Sequence, residues 1–280
     1  LDSSASAPVN FSAPPVNEVV FGVQFDRDVI DEVGILNRYL PTIQAEFPKI
    51  DKQPPLPPMQ EDLDHPPSPG VAQVQFLQGP PSTRYWFISA DETLLIQVQS
   101  DRFIFNWRQT ERMADYPRYE ALQPTFKRLF TNFLTHLSPE GEAVVPSLCE
   151  ITYINHIKAP GAVPPGTHGP LSEVLRALSP KPVSPALPPI EDTQLQQRFL
   201  ITDGEGTPSG RLYLSAVPAF RDPDATPIYV VTLVARGRPS PQAPDGVVPF
   251  FDMGRELIVK GFKESTTPQM HERWGLQNGG

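Results

Sequence analysis

One order of structural signals occurs twice in this chain, and that doubling constrains the fold more than any single motif. A strand, a helix, a run of strands and a long helix can be read from Val16 to Leu137, and a similar order from Leu148 to Phe262. In the first strand Val19, Phe21, Val23 and Phe25 alternate with Glu18, Val20, Gly22 and Gln24, the period of two that buries one face. Its counterpart carries Cys149, Ile151, Tyr153, Asn155 and Ile157 on one face and Glu150, Thr152 and His156 on the other. Laid on the first strand, Glu150 falls on Glu18, Ile151 on Val19 and Tyr153 on Phe21. Two such units can share one sheet, with helices on one face and a concave face left over.

The elements between these strands follow from spacing. Ile30, Val33, Leu36, Leu40, Ile43 and Phe47 predict a helix bent near Pro41. Strands are expected over Val71–Leu77, Arg84–Ala90, Thr93–Gln99 and Arg102–Arg108, with Ser100-Asp101 as a hairpin turn. Tyr119, Leu122, Phe126, Leu129, Phe130, Phe133, Leu134 and Leu137 form one helical stripe. Each such side chain gains ~1.5–3 kcal/mol on burial, so the stripe reads as core. Pro117 suits the first turn of that helix, and Pro124 should bend it or delay its start. In the second unit Leu171, Val174, Leu175 and Leu178 predict a short helix, followed by strands over Leu195–Thr202, Arg211–Val217 and Ile228–Arg236. A last long helix carries Phe250, Phe251, Leu257, Ile258 and Phe262, and Thr267-Pro268 opens a terminal turn bearing Met270 and Trp274.

The 36 prolines cluster between these segments. PPLPP and HPPSP within Asp51–Pro69 read as an extended loop, matched in the second unit by Ser179–Pro189. Loop packing explains them more simply than a proline-ligand role. Leu1–Pro15 reads as a loosely held tail. Because each proline loop falls inside a unit, one domain over residues 16–274 is expected, built from halves 16–137 and 148–274. Two beads separated near Ser138–Pro146 are the alternative. The expected fold class is therefore α+β: two pseudo-repeated strand–helix–strands–helix halves sharing a curved antiparallel sheet, with helices on one face.

The same sequence narrows function mainly by exclusion. A formal charge of −9 disfavours a broad basic field, so nucleic acid is not an expected partner. No apolar run approaches the ~20 residues of a membrane span, and no charged, then apolar, secretory leader is visible. The lone Cys149 cannot form an internal disulfide and favours a reducing, cytoplasmic setting. His65, His136, His156, His168 and His271 show no metal-ligand spacing, so neither metal nor cofactor is expected. Gly204–Gly210 reads as a hairpin loop, because strands flank it and Pro208 removes an amide that a phosphate cradle would use. There is no GxSxG elbow, and no catalytic residue is assigned.

Strand alternation supplies the candidate site. Glu18 and Gln24 on one central strand, with Glu150, Thr152 and His156 on the other, should meet on the open sheet face if the two strands pair. A carboxylate near a histidine could support acid–base work; a solvated sheet face is the plainer reading. Arg108 adds a cation, in line with Arg102 and Asn106 on one face of their strand, and Asp101, Glu111, Asp115 and Glu120 are available to neutralise these arginines and the following Arg112 and Arg118. Asn155, alone on an apolar face, reads as a structural amide hydrogen-bonded within the core.

Several segments together resemble a functionally uncharacterised bacterial family of roughly this length and sporadic distribution. They are Pro15–Phe25, Phe105-Asn106-Trp107-Arg108, Tyr116-Pro117-Arg118-Tyr119-Glu120, Thr152-Tyr153-Ile154-Asn155, and Phe262 through Thr266-Thr267 and His271 to Trp274. The resemblance implies no activity, cofactor or catalytic residue. Its patchy distribution implies an accessory role, in a mobile or defence locus. The expectation is a non-enzymatic binding or recognition protein acting on a protein partner or small molecule through the sheet face or the cleft between halves. The alternatives are a small-molecule sensor with a pocket between sheet and helices, and an enzyme using Glu150 and His156.

Overall fold

The computed structural model describes residues 10–63, 83–110, 115–137, 144–160, 166–178, 186 and 190–277. Its strands are β1 (Asn10–Phe11), β2 (Val16–Phe25), β3 (Lys49–Gln53), β4 (Arg84–Ile88), β5 (Leu94–Gln99), β6 (Arg102–Arg108), β7 (Pro146–Ile157), β8 (Leu195–Thr202), β9 (Pro208–Arg221), β10 (Thr226–Gly237) and β11 (Leu276–Gln277). Nine of them form one antiparallel sheet in the order β3-β4-β5-β6-β2-β7-β10-β9-β8, and β1 pairs with β11 in a separate ribbon. The chain is thus an α+β protein with a large antiparallel sheet.

Alternation along each strand sorts the sheet into two faces. One row runs through seven strands by direct cross-strand pairing: Phe87, Ile96, Phe105, Phe21, Ile151, Ala235 and Leu212. All seven are buried. The long helices α3 (Tyr119–Thr135) and α4 (Val247–Ser265) both lie on this face. Phe126 of α3 stacks on Phe21 at 5.3 Å, and Phe251 of α4 meets the same ring edge-on at 5.3 Å. Such aromatic pairs add about 0.5–1.5 kcal/mol beyond their buried area. Gly254 lets α4 approach closely, since a Cβ there would stand 2.7 Å from Ile151 Cγ2 and 3.1 Å from Ala235 Cβ.

The local departures from the sequence pattern have identifiable causes. The first helix is three short pieces: α1 (Glu32–Gly34), a wider π turn (Ile35–Tyr39) and α2 (Leu40–Ile43). Pro41 has no N–H for the regular ladder, and just before it the Leu40 N–H reaches back five residues to Ile35 O. Val33, placed on the apolar stripe, is exposed. Pro124 lies inside α3, which nonetheless begins at Tyr119, and Pro117 precedes the helix rather than opening it. Leu171–Glu173 is a 3₁₀ turn, not an α-helix. Thr267 precedes α5 (Pro268–Arg273) as expected, but its hydroxyl bonds Glu173 O instead of capping the helix.

The tail reading fails over residues 10–15. Asn10 and Phe11 pair with Gln277 and Leu276, and Phe11 is buried against Phe262 and Trp274. The Phe11 ring and the backbone bonds of Ser12 and Ala13 to Gly275 and Trp274 together hold this segment. Strand β3 also went unread, because KIDKQ is charged and pairs on one side only. The strand expected over 71–77, His65, Glu111, Arg112 and most of the second proline loop lie outside the described residues.

Candidate functional site

The second face of the sheet is polar, and half of it is not open. After β3 the chain crosses this face as an extended strap. Gln99 Oε1 accepts from Leu56 N–H at 2.8 Å and Arg102 donates to Pro57 O at 3.0 Å. Gln24 holds Met59 through both amide atoms, accepting from its N–H at 2.6 Å and donating to its carbonyl at 3.1 Å. Farther along, the Glu61 carboxylate pairs with Arg211 and accepts from Tyr213 OH at 2.7 Å. The Glu61 and Arg211 side chains are 1% and 7% exposed. Proline suits this strap because an extended chain without a neighbouring strand can dispense with amide donors.

Gln24, expected on an open surface, is therefore buried and occupied by the strap. Arg102 is buried as well, which removes it from any basic surface. The other expected site residues are placed as follows. Glu18 stands opposite Arg108 across β2 and β6, accepts from Asn106 Nδ2 at 2.6 Å, and is held above the ordinary carboxylate pKa by burial, with Asn106 and Arg108 acting against the shift. Arg108 itself donates to Glu92 O at 2.9 Å. Glu150 is opposite Arg236 and accepts from its Nε at 2.6 Å, while Thr152 Oγ1 reaches Glu150 at 3.4 Å.

His156 is apart from these groups. It lies on the same strand as Glu150, six residues on, which at ~3.3 Å per residue is about 20 Å. The structure does not bring Glu150 and His156 together, and among the described residues no carboxylate hydrogen-bonds His156. Burial, then the nearby Arg221, lowers its pKa. The two central strands do pair antiparallel, as expected, with Gly22 opposite Glu150 and Glu18 opposite Ile154, so the two carboxylates are not cross-strand neighbours.

A mainly apolar hollow lies on the helix side. A cavity of about 270 Å³ lies among the sheet, α3, α4 and the amino-terminal segment, walled by Phe11, Val16, Leu233, Ile258 and Phe262 and edged by Tyr116, Arg118, Tyr153, Asn155 and Arg255. Tyr116 and Tyr153 share a hydroxyl–hydroxyl bond of 3.1 Å. Burial raises the pKa of both, that of Tyr153 to about 12, so at neutral pH they offer uncharged hydroxyls. Asn155 donates to Val231 O at 3.0 Å, the structural amide expected, yet it also lines the cavity. Arg255 is paired with Glu120 at 3.1 Å. Arg118, at φ +74°, donates to Asn10 Oδ1, Phe11 O and Ser12 O, and so ties the amino-terminal wall to the start of α3.

Sequence reading missed this group. Tyr116 and Arg118 come from the approach to α3, and Arg255 from the polar side of α4. The one available signal was Asn155, a polar residue on an otherwise apolar strand face. Among the described residues no cluster of His, Cys, Asp and Glu could hold a metal ion, and no helix is long and apolar enough to cross a membrane. In comparisons with known proteins, no protein-family profile and no curated protein sequence matches the chain.

Proposed function

We propose that this is a non-catalytic binding protein that takes a small, mainly apolar molecule into the cavity between the sheet and helices α3 and α4. The observation that carries the reading is the cavity itself. At about 270 Å³ it exceeds the ~150 Å³ that accommodates benzene, and it combines an apolar wall with a rim of tyrosine hydroxyls, the Asn155 amide, Arg118 and the Arg255–Glu120 ion pair. The ligand this favours is a compact ring or short chain with one or two hydrogen-bonding groups. On the polar face, by contrast, Gln24 is already used by the strap and Glu150 by Arg236, which weakens the sheet-face reading and the joint use of Glu150 and His156 in catalysis.

We further infer that the two halves are a structural repeat and act as one domain. Counting outward from the centre, β2, β6, β5, β4 match β7, β10, β9, β8, with the same connectivity. The cross-strand pair Glu18–Arg108 has its counterpart in Glu150–Arg236. A long helix begins eleven residues after the arginine in each half, at Tyr119 and at Val247. The pair Val20–Thr152 lies at the centre of this relation. A buried thiol at Cys149 fits a reducing cytoplasmic setting, and the accessory bacterial role implied by the family resemblance is retained as part of the same proposal.

The test is a thermal-shift screen of small metabolites on the wild-type protein and on Ile258→Trp, whose larger side chain should occupy the cavity. A ligand at 100 times its Kd stabilises by ~2.7 kcal/mol. A compound that raises the melting temperature of the wild type but not of the variant supports the reading. Stabilisation by a protein partner alone, equal in both proteins, overturns it in favour of a scaffold.

A further inference from the structure

The end of β7, the β9–β10 turn and α5 converge on a hollow of about 320 Å³ that shares no lining residue with this cavity. Four basic side chains line it: His156, Lys158, Arg221 and Arg273. No acidic side chain does, among the described residues, in a chain whose formal charge is −9. Arg273 Nη1 donates to the backbone carbonyl of Lys158 at 3.1 Å, which holds these two cationic residues side by side. Among the described residues neither has a carboxylate partner. Arg221 does have one, Asp224 in its own turn, at 2.5 and 3.3 Å, but Asp224 does not line the hollow. Burial, then the adjacent Arg221, disfavours protonation of His156. A neighbouring hollow shares His156 and Arg221 and adds Arg118 and a single acid, Asp115.

Cations gathered in a concave site with low-dielectric walls repel one another and raise the local concentration of anions. We propose that this hollow binds the oxyanion group, phosphate or carboxylate, of a small ligand, with Lys158 and Arg273 as its principal contacts and His156 as a hydrogen-bond donor at its base. The site is separate from the apolar cavity, and it stands or falls without the reading of that cavity.

Two probes distinguish the sources of such a group: pyrophosphate and citrate, each titrated at low ionic strength by calorimetry, with the His156 ring followed by NMR. Saturable binding of at least one probe is expected, together with a rise in the His156 pKa, because a bound anion favours the imidazolium against the repulsion of Arg221. In the double variant Lys158→Gln/Arg273→Gln the affinity should fall at least tenfold while the melting temperature stays within a degree or two, since both side chains sit at the surface. Binding of pyrophosphate alone assigns the site to phosphorylated ligands, and of citrate alone to carboxylates. Failure of both probes to move His156, or equal affinity in wild type and double variant, overturns the proposal.

Discussion

The two ends of the polar sheet face do opposite things with similar material. At the Gln24 end, the strap lies over the strands and satisfies their side chains with backbone groups and one carboxylate. At the His156 end, arginine, lysine and histidine face a hollow that no segment among the described residues fills. In the proposed repeat, Gln24 and His156 are equivalent positions, yet among the described residues an extended strap bonds Gln24 and none bonds the His156 side chain. An arginine on a strand face therefore does not define a site by itself. What separates structure from recognition is whether the chain already provides the counter-charge.

The largest expected effect sharpens the strapped end. Glu61→Ala removes the buried carboxylate from Arg211 and Tyr213, and breaking a pair of this kind costs about 3–5 kcal/mol. Urea denaturation should show that loss, whereas Asp224→Ala, at the exposed Arg221 pair, should leave the denaturation midpoint nearly unchanged. Equal losses in the two variants would erase the contrast between the ends.

Gln24→Ala comes next. It deletes both hydrogen bonds to Met59 and leaves Arg102 without one acceptor, an expected cost of about 1–3 kcal/mol. His156→Ala at the equivalent position should be close to neutral. Proteolysis within residues 54–61 should accelerate in Gln24→Ala alone if the strap is held as described.

Glu18 tests the middle of the face. Its carboxyl pKa is raised in the folded protein, mainly by burial, so its contribution is fully present below the ordinary value of 4.5 and is lost as pH rises through the folded value. Glu18→Gln keeps an acceptor for Asn106 and removes the buried charge. It should stabilise the protein at pH 7 by less than about 1 kcal/mol, and the gain should vanish near pH 4. A destabilised variant at pH 7 would mean that attraction to Arg108 outweighs burial.

The smallest effect concerns the open end. His156 should titrate below its ordinary 6.5, so its contribution to stability is present above that value and declines as pH falls through the folded one. Arg221→Gln removes the adjacent cation and should move the His156 titration upward, measured on the ring resonances. No movement would show that burial alone sets the shift and that the hollow is less electropositive than its lining suggests.

Much of the sheet was legible because strand alternation reports burial directly. The pairing of β2 with β7 places Phe21 beside Ile151 on the helix face, as the period of two requires. β6 and β8 fall over the residues read from sequence, and α3 carries the aromatic stripe. The site was far less legible. Glu150 and His156 share a strand face, but alternation says nothing about distance along it. Gln24 shares the same face, and its occupation by Met59 depends on residues thirty-five positions away. The cavity draws on Tyr116, Tyr153 and Arg255, from three elements, none of which carries a local signal of its purpose.

By itself, the sequence determined the alternation, the amphipathic helices and hence an antiparallel sheet with an aromatic core, since periodicity and apolar burial act between near neighbours. Only the tertiary structure decided which polar side chains remain available. That choice depends on where the strap crosses, where the two chain ends meet through Phe11, and which charges find partners at long range, all of them contacts that local spacing does not encode.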